Sequence, residues 1–130
     1  NNSGTYVYFR NVVLGRGKDY DFGIMDMLSS KDVVHLVEKT PCAIGYSGLA
    51  YASSKVKMIC LEKTSGQPCV TPSVNTAVGG DYPIARPLFM YTRDEPRGAL
   101  KQYIDWILSD EGQCIIAKKG YAPVRDVKCN

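Results

Sequence analysis

At 130 residues with 45% hydrophobic, 22% charged and 10% aromatic side chains, the chain has the apolar content of one modest globular unit and too much of it for a disordered segment. A net charge of +3 with no cluster of Lys and Arg leaves no electrostatic footprint for nucleic acid, and no apolar run approaches the ~20 residues of a membrane-spanning helix. No signal peptide is visible, and the chain reads as an excised part of a longer one.

The spacing of Tyr6, Phe9 and Val13 predicts a helix from about Thr5 to Leu14, ended by Gly15 and Gly17. Residues 18–28 carry Tyr20, Phe22, Ile24, Met25 and Met27 with no helical or strand period. Ser29 and Ser30 open a second helix with Asp32 as its first-turn acid, Val33, Leu36 and Val37 as its buried face and Pro41 as its stop. Cys42 to Tyr46 is short, apolar and bounded by Pro and Gly, the pattern of a buried strand. A short helical turn over residues 49–52 and a second strand from Val56 to Leu61 follow. Thr71 as cap and Pro72 at the first position start a third helix, which Gly79 and Gly80 end. Prolines hold residues 82–87 extended, and Leu88 to Thr92 is a strand with Pro87 at its beginning or edge. One long helix from about Gly98 to Lys118 carries an apolar stripe of Leu100, Tyr103, Ile104, Ile107 and Leu108, with Trp106 off the stripe and Gly120 as its C′ residue. Helices alternating with short apolar runs predict an α/β fold, a sheet covered by helices.

Ahead of the first helix stands Asn2-Ser3-Gly4-Thr5. A serine N-cap accepts a first-turn N–H, glycine admits close approach to the backbone, and the helix dipole is positive at this end. Two hydroxyls and several N–H donors there suit phosphate or sulfate, although the same residues also describe the plain cap of a frayed helix. The five cysteines, Cys42, Cys60, Cys69, Cys114 and Cys129, are odd in number, so at least one is free or pairs between chains. Cys60 and Cys69 flank a turn-like segment whose length permits a local disulfide, while spacing alone fixes no connectivity; the plainer expectation is that most of these thiols are small buried apolar residues. His35 reads as a surface histidine with no metal-ligand spacing around it, and the pair Asp110 and Glu111 as a solvated helix face. A thiol enzyme would need Cys42 activated by a base such as His35, but Cys42 begins an apolar strand, which favours an inert buried thiol. The tyrosines are scattered along apolar faces and form no base-stacking stripe.

Five segments occur in one order: Ser3-Gly4-Thr5, residues 40–46, residues 82–88, residues 104–113 and residues 120–124. Together they resemble the C-terminal portion of periplasmic phosphate-binding proteins of ABC transporters. The resemblance implies a type II periplasmic-binding fold, α/β with a mixed sheet flanked by helices. Residues from about 1 to 84 would form a ligand-binding lobe, and those from about 85 to 130 a crossover and a terminal helix returning to the other lobe. It implies phosphate held in an interlobe cleft by hydrogen bonds, with Ser3, Gly4 and Thr5 as ligands and no metal, cofactor or catalysis. The arginine that the family commonly places a few residues before this motif falls ahead of residue 1, and the other lobe's loops fall outside the chain. Arg86 would lie on the interlobe crossing, in a structural role. The implied partners are inorganic phosphate and a membrane permease, with no nucleic acid, and the implied location is the periplasm or, with a lipid anchor, the outer cell surface. The same fold used for sulfate, molybdate or tungstate is the alternative within the class, and a ligand-free interaction or sensing domain the alternative outside it. Separated from its other lobe, the long helix would expose its stripe, so self-association of the fragment is expected.

Overall fold

Ser3 caps helix α1 (Gly4–Phe9) in the computed structural model, which describes residues 3–129: its Oγ accepts the Tyr6 N–H at 3.4 Å and its carbonyl accepts the Val7 N–H at 3.1 Å. Asn2, the first residue of the stretch singled out above, lies outside the described residues. The helix expected over residues 5–14 is present but changes character halfway. From Arg10 to Leu14 it is a π turn, with the Gly15 N–H reaching the Arg10 carbonyl at 3.2 Å, and Gly15 at φ 100° ends it. The chain divides into two units, Asn1–Met58 and Ile59–Asn130.

In the first unit, α2 (Ser30–Lys39) is capped as expected by Ser29, whose Oγ accepts the Asp32 N–H at 3.2 Å and donates to the Asp32 carboxylate at 2.7 Å. Residues 42–46 are no strand. The chain turns at Thr40, whose carbonyl accepts the Ala43 N–H at 3.2 Å, and Cys42 stands exposed at φ 65° instead of buried in a ladder. An apolar run becomes a strand only where a neighbour takes its N–H and C=O groups, and here the segment lies on α2 instead. Gly45 permits that approach, because a Cβ there would sit 2.8 Å from Val33 Cγ1 and 3.0 Å from Val37 Cγ2. Ser47 Oγ donates to the Ser30 carbonyl at 3.1 Å, and Lys55 Nζ meets Glu38 at 3.0 Å. The turn expected near residue 50 is a 3₁₀ turn, Leu49–Tyr51.

In the second unit, the strand expected over residues 56–61 reduces at its end to one antiparallel bridge, Leu61 to Val70, with N···O distances of 2.9 and 2.8 Å. The Cys60–Cys69 disulfide closes that hairpin. Helix α3 (Val74–Val78) begins later than expected, because Ser73 rather than Thr71 is its cap. Ser73 Oγ accepts the Thr76 N–H at 3.1 Å while Thr76 Oγ1 accepts the Ser73 N–H at 2.9 Å, a reciprocal pair that Thr71 cannot form. Residues 88–92 run without a ladder and leave Leu88, Phe89, Met90 and Tyr91 exposed. Among the described residues, then, the expected sheet is absent apart from the single bridge.

The long terminal helix is two helices, α4 (Gly98–Leu108) and α5 (Asp110–Lys118), broken at Ser109. Ser109 takes an extended backbone, donates Oγ to the Trp106 carbonyl at 2.7 Å and accepts the Gly112 N–H at 3.4 Å, so it ends one helix and caps the next. Gly112 is required at the corner, since a Cβ there would collide with the carbonyl oxygens of Trp106 and Ile107. Asp110 and Glu111 are more than a solvated face: Asp110 pairs with Arg125 at 2.6 Å and Glu111 accepts the Trp106 indole N–H at 3.2 Å. Gly120 at φ 80° is the C′ residue, as expected. The Cys114–Cys129 disulfide ties the tail to α5. Among the described residues only Gly112, Gln113 and Pro123 are buried, and the stripe residues Leu100, Tyr103 and Leu108 are exposed. Among the described residues, no helix is long and apolar enough to cross a membrane.

Candidate functional site

A helix cannot satisfy its own first N–H groups. In α1, Ser3 takes those of Tyr6 and Val7, which leaves the Gly4 and Thr5 N–H groups as the first-turn donors with no carbonyl inside the helix. Ser3 and Thr5 both line an open groove of about 530 Å³ within the unit Asn1–Met58. Tyr6, Tyr20, Ser29, Ser30 and Tyr46 line it with them, and Ile24, Met25, Met27, Leu28 and Ile44 are among the apolar residues of its wall. Gly4 is exposed at the start of the same turn. Asp26 is the only acid among the described residues that line the groove. Short hydroxyls and first-turn amides at a positive helix end form an anion-directed set of donors, while the walls are apolar.

An aromatic cluster backs this turn. The Tyr20 hydroxyl lies 3.1 Å from the Tyr6 carbonyl and 3.0 Å from the Tyr46 hydroxyl. The rings of Phe9 and Tyr46 stack at 4.0 Å and 7°, and those of Tyr6 and Tyr20 meet at 4.6 Å. Arg10 stands over the Tyr6 ring at 5.9 Å and 3.6 Å from Asp19. Burial, with the Tyr20 hydroxyl beside it, holds the Tyr46 phenol well above its ordinary value, and burial followed by the nearby Asp19 raises that of Tyr6.

The other residues weighed from the sequence are placed elsewhere. His35 is exposed on α2, as expected. Cys42 is exposed on a turn, which overturns its reading as a buried strand residue. Arg86 is exposed in the unit Ile59–Asn130. The expectation that most thiols are reduced and buried gives way to two disulfides, Cys60–Cys69 and Cys114–Cys129. Among the described residues, no three of His, Cys, Asp and Glu gather as metal ligands. Tyr20 and Asp26 were not legible as neighbours of the Ser3 turn, because the stretch 18–28 has no period and nothing local points it back toward α1, and Tyr46 was not because it lies beyond α2 in the chain.

Residues 1–111 match the family model described as the PBP superfamily domain. The chain is 34% identical over 126 residues to the phosphate-binding protein PstS of Pseudomonas aeruginosa, an alignment covering 94% of this chain and 39% of that protein. It is 35% identical over 101 residues to the phosphate-binding protein PstS 2 of Streptococcus agalactiae, covering 77% of this chain and 32% of the relative. To the phosphate-binding protein PstS of Bacillus subtilis it is 32% identical over 102 residues, covering 77% and 32%. The chain thus spans about two fifths or less of the length of these curated relatives. No solved structure matches it.

Proposed function

The chain belongs to the PBP superfamily, and on that premise we propose that it supplies one side of an inorganic-phosphate site in the substrate-binding component of an ABC uptake transporter. The observation that carries the reading is the Ser3-capped start of α1, where Ser3 and Thr5 line one groove and Gly4 stands exposed between them. Similarity to relatives named phosphate-binding proteins supports the choice of anion. Ser3, Gly4 and Thr5 bind by hydrogen bonds, with no metal, cofactor or covalent step. Residues from about 1 to 84 belong to the ligand-binding lobe, and those from about 85 to 130 form the crossover and the terminal helices that return to the other lobe. The apolar runs at 42–46, 56–61 and 88–92 join a mixed sheet when the rest of the protein gives them ladder partners. The exposed apolar residues of α4 support a further packing partner, the other lobe in the whole protein or a second copy of the chain when it stands alone. Two disulfides support a site of action outside the cytoplasm, in the periplasm or at the cell surface, where a membrane permease takes the loaded protein.

The double variant Ser3→Ala with Thr5→Val in the full-length protein tests this. Each hydrogen bond to the anion is worth about 1.5–3 kcal/mol, so calorimetry is expected to show phosphate affinity falling by more than about a hundredfold. Equal affinities in wild type and variant would remove these residues from the site.

A further inference from the structure

We infer that Tyr20, braced by Tyr46, is a positioning residue for the Ser3–Gly4–Thr5 turn and holds its donors in one orientation; the inference rests on the phosphate-site reading above. The Tyr20 hydroxyl lies within hydrogen-bond distance of both the Tyr6 carbonyl, 3.1 Å, and the Tyr46 hydroxyl, 3.0 Å. A phenol carries one proton and a carbonyl can only accept. The Tyr20 proton therefore goes to Tyr6, and Tyr46 donates its own to the Tyr20 oxygen. The Tyr6–Val7 peptide unit that Tyr20 grips gives its N–H in turn to the Ser3 carbonyl at 3.1 Å. One unbroken chain of hydrogen bonds thus runs from Tyr46 through Tyr20 and that peptide to Ser3, each link polarising the next.

The rings aim this chain. Phe9, on α1 itself, stacks on Tyr46 at 4.0 Å, and Tyr6 packs on Tyr20 at 4.6 Å. The Arg10 N–H shares the Tyr6 carbonyl at the point where the helix passes from α to π, so the second lone pair of that oxygen is the one open to Tyr20. Helix α1 proper is six residues long, too short to hold its first turn by its own hydrogen bonds. An outside clamp on its third residue decides where the Gly4 and Thr5 N–H groups point. Tyr20 and Tyr46 border the same groove as Ser3 and Thr5.

The test is phosphate calorimetry on the full-length chain carrying Tyr20→Phe, Tyr46→Phe, Ser3→Ala, and Tyr20→Phe combined with Ser3→Ala. Tyr20→Phe keeps the ring and removes the hydroxyl, and it is expected to weaken phosphate binding about fivefold, the equivalent of one neutral hydrogen bond. In the Ser3→Ala background, where one of the oriented donors is gone and the Gly4 and Thr5 N–H groups remain, the same change is expected to cost clearly less than in the wild type, about twofold to threefold, because linked residues are not additive. Tyr46→Phe is expected to weaken binding by less than Tyr20→Phe, since Tyr20 keeps its bond to Tyr6. An equal penalty in both backgrounds marks Tyr20 as merely structural and overturns the proposal, as does no penalty at all. Should Tyr20→Phe fail to fold by circular dichroism, Tyr46→Phe with and without Ser3→Ala decides by the same coupling. Ser3→Ala at wild-type affinity would overturn the phosphate-site reading itself, and the role of Tyr20 with it.

Discussion

Replacing Gln113 by alanine removes the one buried polar side chain among the described residues of the second unit. Gln113 is 1% exposed; its Nε2 donates to the Ile107 carbonyl at 2.8 Å and its Oε1 accepts the Val124 N–H at 2.8 Å. It therefore joins the last turn of α4 to the tail across the α4–α5 corner. Alanine leaves a buried acceptor and a buried donor unsatisfied, each costing about 1–3 kcal/mol, and water entering the vacated space recovers part of that. The expected loss is about 2–4 kcal/mol. Trp106 is the only tryptophan, it stacks on Tyr103 at 6.1 Å, and its indole donates to Glu111 at 3.2 Å in the same corner. Urea unfolding followed by its fluorescence, with the Cys114–Cys129 disulfide kept oxidised, measures the loss directly. Gln113→Leu keeps the volume without the hydrogen bonds and should lose at least as much. Gln113→Glu keeps the acceptor for Val124 but sets a carboxylate against the Ile107 carbonyl, so the folded state favours the protonated acid. Its pKa is raised on folding, and the lost stability should return as pH falls through that raised value. A Gln113→Ala loss below about 0.5 kcal/mol, the level of an ordinary surface change, would refute the claim that this residue holds the corner.

Three other outcomes follow from local geometry. Gly45→Ala places a methyl 2.8 Å from Val33 Cγ1 and is expected to cost about 1–3 kcal/mol in thermal unfolding; an unchanged midpoint would show that residues 43–45 do not lie on α2. Lys55, through its hydrogen bond at 3.0 Å, holds the Glu38 carboxyl below its ordinary value, so this pair stabilises the folded chain above the ordinary carboxylate range and the gain is lost as pH falls through the lowered value. Lys55→Met should flatten the acid side of a plot of thermal midpoint against pH, and an unaltered acid limb would contradict the pairing. Peptide mapping without reductant should find the Cys60 and Cys69 peptides joined, the Cys114 and Cys129 peptides joined, and Cys42 alone labelled by maleimide; any other pairing would contradict the fold.

Features that depend on residues within about four positions of one another were legible in the sequence. Ser3 and Ser29 as caps, Gly15 as a stop and Gly120 as the C′ residue each act through backbone groups one turn away, so residue type and order were enough. The Cys60–Cys69 pairing, across nine positions, was permitted by its short turn but not fixed by spacing. Where local rules competed, the residues themselves did not say which would win: Ser73 displaced Thr71 as a cap, and Ser109 split one predicted helix into two.

What joins distant residues was decided only by tertiary structure. Tyr20 reaches Tyr6 across 14 positions and Tyr46 across 26, and Gln113 reaches Val124 across 11. No periodicity records such partners, because a helical or strand period reports only neighbours a few positions apart. The strands show the other side of this dependence. Runs such as residues 42–46 and 88–92 carry the apolar pattern of strands, yet a ladder needs a neighbour's N–H and C=O groups, which an apolar pattern does not supply. A helix closes its hydrogen bonds within its own segment and so follows from local sequence; a sheet, a disulfide over 15 residues or a buried glutamine takes form only when another part of the chain is in place.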